Sequence, residues 1–411
     1  MCGDSEGDAF LPRSQPQRRS PLLTPFSARA YDAAVWPLGL RTRQVRPSRT
    51  APAVVKEKEP AMADLTLSFA CTAYDRVMPL ITGEVKPDGI TLEYQGMPGQ
   101  VPGVFYDQIK FGRYDLSEFS MSSFLRTRQQ GLPYRMMPIF HNRQFSYTNI
   151  WIRTDAGIRR DHPEDLKGKR IGIGDYQQSV GLWTRGSLLQ EFGINDNDMT
   201  WYQERGEHYS HSGASGLKLP HVDINYATKD FSTMYINGEL DASIGLGGPA
   251  HNALDRDKAD LSNDPRVTTL FTNPREEAIR YFKKHGVYQP HHVTAIRESI
   301  VKEHPWVARS IMEAFQKSKE IAIARLKQTP PTLMVFGASW LREIQSVFGN
   351  DPFPYGYAAN AKALDFAQTF SHQQKLTERK QPIDEIFPEE ILIMEERLPS
   401  QEKASEPVAA G

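Results

Sequence analysis

The spacing of apolar residues changes period repeatedly after Leu65. LTLSFACT (65–72) alternates apolar and polar positions and predicts a first strand. TAYDRVMPLITGEV continues it through a short loop into a helix, and DGITLEYQGM (88–97) predicts a second strand. GQVPGVFYDQIKFGRYDLSEFSMSSFLRTRQQG predicts a helix, a strand around Leu116 to Ser120, and another helix. YRMMPIFHNRQFSYTNIWIRTD (134–155) reads as two extended segments. A βαβαβ alternation of this kind predicts a mostly parallel sheet with crossover helices.

The pattern then restarts. KRIGIGD (169–175) predicts a strand, and QSVGLWTRGSLLQEFG (178–193) a helix capped at Gly193. MTWYQE is a further strand. TKDFSTMYINGELDASIGLGG holds a helix, a turn at Gly238 and a strand at Asp241 to Leu246, and VTTLFTNP leads out. Two successive α/β units predict two lobes. The last third is helical: IVKEHPWVARSIMEAFQKSKEIAIARL has long amphipathic periodicity, and NAKALDFAQTFSHQQKL (360–376) predicts another helix. Residues 1–62 lack such periodicity and are rich in Pro, Ser and Arg, the composition of a disordered leader. Between Arg13 and Arg49 that leader carries one acid, Asp32, loosely like an organellar transit peptide, while Asp4, Glu6 and Asp8 argue against one. An extension upstream of a start at Met62 is the alternative. The expected division is a leader (1–62), lobe 1 (63–150), lobe 2 (151–268), completion of lobe 1 with C-terminal helices (269–390), and a flexible tail (391–411).

Composition narrows the function classes. The 411 residues are 39% hydrophobic and 24% charged, ordinary for a globular chain. A net charge of −1 gives no global attraction to nucleic acid or an anionic membrane. No apolar run approaches the roughly 18 residues of a membrane span. Two cysteines, Cys2 and Cys71, suit a reducing compartment, and Cys71 reads as a small buried thiol at a strand end. A cytoplasmic location is expected.

Several stretches together resemble 4,5-dihydroxyphthalate decarboxylases. They are YDRVMPLITGEVKPDGITLEY (74–94), FGRYDLSEFSMSSFL (111–125), PEDLKGKRIGIGDYQQSVGLWTRGSL (163–188), GELDASIG (238–245), HHVTAIRESIVKEHPWVARSIMEAF (291–315) and DPFPYGYAANAKALDFA (351–367). The resemblance runs from about residue 64 to 390. It implies an α/β fold of the two-lobed, periplasmic-binding-protein-like type II, with mostly parallel sheets flanked by helices and a helical C-terminal part. It also implies decarboxylation of a dihydroxylated aromatic dicarboxylic acid, 4,5-dihydroxyphthalate, to protocatechuate and CO2, with no organic cofactor. A divalent metal stays open because a catechol chelates metals. The implied partner is a small aromatic acid, with no nucleic acid and no membrane; a homo-oligomer is compatible with it. One departure stands out. Where the family carries an Arg after the GE-x-DA strand, this chain reads Leu246-Gly247-Gly248-Pro249.

Ligand groups in such a fold come from strand-to-helix turns facing the cleft. The expected catalytic residues are His292, with an unperturbed pKa near neutrality, and Asp75 and Glu118 as bases or anchors. His292 rests on the resemblance; each of the three has a structural alternative as a cap, a hydrogen-bonded histidine or a solvated acid. The expected substrate-binding residues are Tyr74, Arg76, Ser120, Ser122, Ser146, Tyr147, Tyr176, Gln177, Ser179 and Gly247. Tyr176 would stack on a flat ring, Ser179 would add a donor at a helix N-terminus, and Ser146 and Tyr147 would line the cleft floor. Arg76, Arg126, Arg143 and Arg185 are candidate carboxylate clamps. HYSH (208–211) and His291-His292 are paired histidines without zincin spacing; surface histidines are the plainer reading of HYSH. Trp183 and Trp201 read as core.

Two other functions fit the fold. A solute-binding protein of an ABC-type transport system, for a small aromatic or sulfonated acid, would share every fold-level feature. It would need an export signal or lipid anchor, and neither is read in this sequence. A thiamine-precursor synthase of the same fold would want iron, and no Cys-rich site suggests one. Removing residues 1–61 is expected to leave the melting temperature of the remainder unchanged; calorimetry showing a drop of several degrees would mean that the leader packs.

Overall fold

The computed structural model describes residues 65–97, 100–245, 261, 263–328 and 335–396. The leader, Gly247 with its neighbours, and the end of the chain after residue 396 lie outside the described residues.

Eleven strands are described: β1 (Leu65–Ala70), β2 (Ile90–Tyr94), β3 (Leu116–Ser120), β4 (Tyr134–Phe140), β5 (Ile150–Arg153), β6 (Arg170–Ile173), β7 (Thr200–Gln203), β8 (Ile224–Tyr226), β9 (Ala242–Ile244), β10 (Val267–Thr269) and β11 (His292–Arg297). They form two sheets, in the orders β2-β1-β3-β11-β4 and β10-β5-β9-β6-β7-β8. In the first, β1 runs parallel to β2 and β3, and β11 enters antiparallel between β3 and β4. In the second, β6 runs parallel to β7 and β9, and β5 enters antiparallel between β9 and β10. The two sheets therefore share one plan, and β8 is an added edge strand beyond β7. Each sheet receives one strand from the chain segment that crosses between lobes. That exchange makes this a two-lobed α/β fold of the periplasmic-binding-protein type II.

The crossing strands explain the burial pattern. All five residues of β3 are buried, including Ser117, Glu118 and Ser120, because β1 and β11 flank it and helices cover both faces. One hydrophobic cluster runs through both lobes, from Phe119 and Phe124 to Ile173, Trp183 and Trp201 and on to Phe370. A second, with Leu67, Phe69, Ile139 and Phe315, fills the other side of the first sheet. Trp183 and Trp201 are thus core, as expected.

Three local features depart from the sequence reading. The long periodic run after Ile300 is two helices, Glu298–Glu303 and Trp306–Gln328, because Pro305 lacks an N–H and disfavours helical geometry at His304. Residues 207–221 contain a short helix, His211–Ala214, and β8 follows them. The chain beyond residue 390 continues as the helix Glu389–Glu396, anchored by the buried Ile391. Gly193 caps the helix Ser179–Phe192 in the left-handed region at φ 63°. Among the described residues, no helix is long and apolar enough to cross a membrane.

The helices Ser179–Phe192 and Ala361–Gln373 meet at Gly186. A Cβ there would lie 2.1 Å from Phe370 Cδ2, and that ring is buried. Alanine would add about 1 kcal/mol of helix propensity, but overpacking costs about 1–3 kcal/mol or more. Gly186→Ala is expected to lower the melting temperature by several degrees in a thermal unfolding scan. An unchanged or raised value would mean that the two helices separate freely.

Candidate active site

In β3 and β11, residues two apart point to one face. The antiparallel register pairs His292 with Ser120 and Thr294 with Glu118. All four side chains therefore share a face, and Glu118 and His292 are diagonal neighbours. Glu118 Oε1 accepts hydrogen bonds from His292 Nδ1 at 2.6 Å and from Tyr74 Oη at 2.7 Å. Its Oε2 accepts the Thr72 N–H at 2.8 Å, with Cys71 Sγ at 3.7 Å. Burial disfavours the ionised carboxylate, yet the hydrogen bond and charge of His292 and the Thr72 N–H outweigh it and hold Glu118 well below the usual carboxylate range.

The second layer is neutral. His141 is fully buried, its Nε2 is 2.7 Å from Thr294 Oγ1, and its ring stacks on Tyr74 at 5.7 Å. Burial pushes its pKa down to about 3 against the attraction of Glu118. Burial and the Glu118 charge push the Cys71 thiol and the Tyr74 phenol upward, so both stay protonated and neither is an activated nucleophile. His292 is partly exposed: its side chain is 15% exposed and its ring meets Phe105 edge-on at 5.0 Å. With Nδ1 held by Glu118, Nε2 makes no hydrogen bond among the described residues. A carboxylate on one nitrogen fixes the tautomer and leaves the other nitrogen to move a proton.

Across the seam, lobe 2 presents hydroxyls and amides. Ser179 Oγ lies 2.9 Å from Ser120 Oγ and accepts the Ser122 N–H at 3.1 Å. Ser123 Oγ is 3.2 Å from His211 Nδ1. Asp175, fully buried, accepts from the His211 N–H at 2.5 Å, Ser212 Oγ at 2.6 Å and the Gln177 N–H at 3.0 Å. Ser122 Oγ and Gln177 Nε2 are buried without a partner among the described residues. Arg205, also buried, donates to Gln178 Oε1 at 3.2 Å on the same side.

The sequence-predicted residues divide accordingly. Glu118, His292, Tyr74, Ser120, Ser122, Gln177 and Ser179 come together at the seam. Asp75 and Arg76 do not join them. Asp75 is exposed and pairs with Arg76 at 3.3 Å, and both line a separate groove. Tyr147 lies in the core, with its hydroxyl on Glu277 at 2.7 Å and its ring against Phe271 and Tyr281, so it does not line the cleft. Ser146 Oγ faces the buried His291 Nε2 at 3.0 Å. Tyr176 has no free face for a substrate ring: the Arg185 guanidinium covers it at 3.7 Å and Trp201 meets it edge-on. Arg143 and Arg126 are tied to backbone carbonyls and neighbouring side chains. HYSH is not a surface pair, because His211 is buried at the seam. His141 and Arg205 escaped the sequence reading, and His211 entered it only as a surface histidine of HYSH. His141 closes the apolar run of β4 at a strand end, which is the signal that would have marked it. Among the described residues no group of three or more His, Cys, Asp or Glu side chains is arranged to hold a metal ion.

The topology defines a two-lobed scaffold of the binding-protein type, and a carboxylate–imidazole pair lies at its seam. The comparisons specify the family. No protein-family model matches the chain. A 4,5-dihydroxyphthalate decarboxylase from Comamonas testosteroni is 31% identical over 332 residues, covering 79% of this chain and 97% of that protein. A 4,5-dihydroxyphthalate decarboxylase from Pseudomonas putida is 33% identical over 226 residues, covering 54% and 83%. The chain belongs to the 4,5-dihydroxyphthalate decarboxylase family, and it is a decarboxylase. Among solved structures, the aliphatic sulphonate binding protein SsuA from Escherichia coli aligns with a TM-score of 0.45 at 14% identity, covering 80% of this chain and 99% of its own. A sulfonate-binding protein from Methylobacillus flagellatus aligns with a TM-score of 0.47 at 13% identity, covering 81% and 94%. Likeness of that degree adds nothing to the topology described above.

Burial also holds His291 near 3 and His211 near 4, the latter against the attraction of Asp175, so with His141 three buried histidines are neutral in the folded protein. In the unfolded chain each takes up a proton at about pH 6.5. Folded pKa values lie below unfolded ones, so their stabilisation is complete above about pH 6.5 and is lost as pH falls toward the folded values. Each contributes a slope of up to about 1.4 kcal/mol per pH unit. Urea unfolding at pH 7.5, 5.5 and 4.5 is expected to show falling stability across that window, and His291→Gln is expected to flatten the fall. A stability independent of pH between 7.5 and 5 would mean that these rings are charged when folded.

Proposed function

We propose that the protein decarboxylates a dihydroxylated aromatic dicarboxylic acid of the 4,5-dihydroxyphthalate type, with His292 as the proton donor to the ring. The observation that carries this reading is the 2.6 Å contact between buried Glu118 and His292 Nδ1 at the seam between lobes. In 4,5-dihydroxyphthalate each carboxylate is para to a hydroxyl. Loss of that phenolic proton puts charge on the carboxylate-bearing carbon. His292 Nε2 delivers a proton to this carbon, giving a dearomatised dienone. The C–C bond to the carboxylate then breaks, CO2 leaves, and the bonding pair returns to the ring as a phenolate, which takes back a proton. Glu118 orients the imidazole and stabilises its cationic form before transfer.

The second carboxylate needs donors. Ser122 Oγ and Gln177 Nε2 are buried and lack partners among the described residues, Ser179 Oγ accepts the Ser122 N–H, and Arg205 brings a buried positive charge. These groups stand in for the arginine that the family carries after the GE-x-DA strand and this sequence lacks at 246–249. The chemistry needs no organic cofactor.

The test is to mix the purified full-length protein, stripped of metal, with 4,5-dihydroxyphthalate and follow CO2 and protocatechuate. Turnover is expected. Binding without turnover, before and after a divalent metal is added, would instead support a solute-binding protein that keeps the cleft without the chemistry. His292→Ala is expected to lower kcat by about 10²–10⁴-fold, the range for a general acid, while the dissociation constant for substrate moves only a few-fold. Retained turnover in that variant would remove His292 from the proton-transfer role.

A further inference from the structure

Asp75 and Arg76 leave the catalytic seam for a groove of about 240 Å³ between the helix Trp306–Gln328 and the helix Gly337–Phe348. Neither Glu118 nor His292 nor the seam serines line it. One wall is aromatic: Tyr288, Phe348 and Phe353 pack on one another at 5.1 and 5.9 Å. The opposite wall is aliphatic, with Ala322, Leu326 and Ile344. Basic groups crowd one region. The Arg76 side chain is only 11% exposed, sandwiched between the rings of Tyr74 at 4.5 Å and Phe353 at 4.2 Å. Its Nε is buried and has no hydrogen-bond partner among the described residues. Its Nη2 donates to the His141 carbonyl, and the adjacent Asp75 holds Nη1 at 3.3 Å from an exposed position. Lys319, 3% exposed, is 2.5 Å from Asp351, and Lys327 stands at the rim. Three cations therefore face two carboxylates.

We propose that this groove is a second ligand site, separate from the catalytic seam, for a single-ring aromatic carboxylate. The size fits. An apolar cavity of about 150 Å³ takes up benzene, so the groove has room for such a ring with a carboxylate and small substituents. The chemistry fits as well. A flat ring lies between the aromatic and aliphatic walls, and its carboxylate meets the surplus positive charge of Arg76, Lys319 and Lys327 over Asp75 and Asp351. A neutral aromatic would gain nothing from that charge. The site also lies one side-chain layer behind the catalytic carboxylate, because Arg76 packs on Tyr74 and Tyr74 donates to Glu118 at 2.7 Å.

Benzoate is the probe, titrated calorimetrically into the full-length protein, so that no turnover is required. This separates failure of the site from failure of the decarboxylase reading. Leu326→Trp fills the groove from its aliphatic wall. The expected result is that this variant binds one equivalent of benzoate fewer per chain than the wild type, with a melting temperature within a few degrees. Lys327→Glu, a change at an exposed position, keeps the test open if the tryptophan variant misfolds. It is expected to weaken one equivalent about fivefold, the effect of roughly 1 kcal/mol at a surface charge. Equal stoichiometry and affinity in the wild type and in whichever variants fold would overturn the proposal, since any benzoate bound would then sit elsewhere.

Discussion

Glu118 is a carboxylate removed entirely from water, and the first lobe is built around its needs. Burying an unpaired charge costs several kcal/mol, even after relaxation. The cost is offset only if donors surround both oxygens. Those donors are remote in sequence: Thr72 and Tyr74 follow β1, and His292 opens β11. No local turn can bring residues 72, 118 and 292 together. The chain must leave, build a second lobe and return, and β11 must enter between β3 and β4 in the register that sets His292 beside Ser120. The exchange of strands between lobes and the hydrogen bonding of one side chain are the same constraint seen at two scales.

The surroundings of this pair favour separation of charge from solvent. His141, His211, Cys71 and Tyr74 are all held neutral, and the seam otherwise carries hydroxyls and amides together with the buried Asp175 and Arg205. Coulombic interactions gain strength in such a medium. Under the proposed reaction, a dianionic substrate would meet fixed donors there instead of mobile water, and the departure of uncharged CO2 would relieve the burial of one negative charge.

How much of this was legible in the sequence depended on what each residue's position determines. Alternating runs fixed most strands and helices, since period and turn chemistry are local. The partners of β5 and β11 were not legible, because antiparallel insertion of a returning strand leaves no mark in its own residues. Glu118 and the serines could be placed at a buried strand end by alternation. His292 was found through the family resemblance alone. Asp75 and Arg76 follow a strand as a ligand residue should, but the direction of a side chain after a turn is not encoded by spacing, and theirs point to the groove. Tyr147 and Tyr176 fail for a related reason: a tyrosine near a cleft satisfies its hydroxyl equally well in the core, here on Glu277 and Asp196. His211 was read as a surface histidine because the four-residue helix that buries it is too short to show a period.

The two lobes share a strand plan, and comparing their buried acids separates structure from chemistry. Asp175 follows β6 in lobe 2 and is as fully buried as Glu118. Its oxygens are met by two backbone N–H groups and a serine hydroxyl, none of which titrates in the physiological range. That arrangement fixes the turn before the helix Ser179–Phe192 and the short helix at His211, and it has no proton to give. Glu118 differs in one partner, the imidazole of His292, which faces the seam with its second nitrogen unengaged. A buried carboxylate met only by neutral donors is an anchor. In the mechanism proposed above, the same carboxylate with an imidazole as one donor takes part in moving a proton. The two acids do not occupy equivalent places in the shared plan: Glu118 lies inside β3, next to the inserted β11, whereas Asp175 follows β6, whose counterpart in the first sheet is β1.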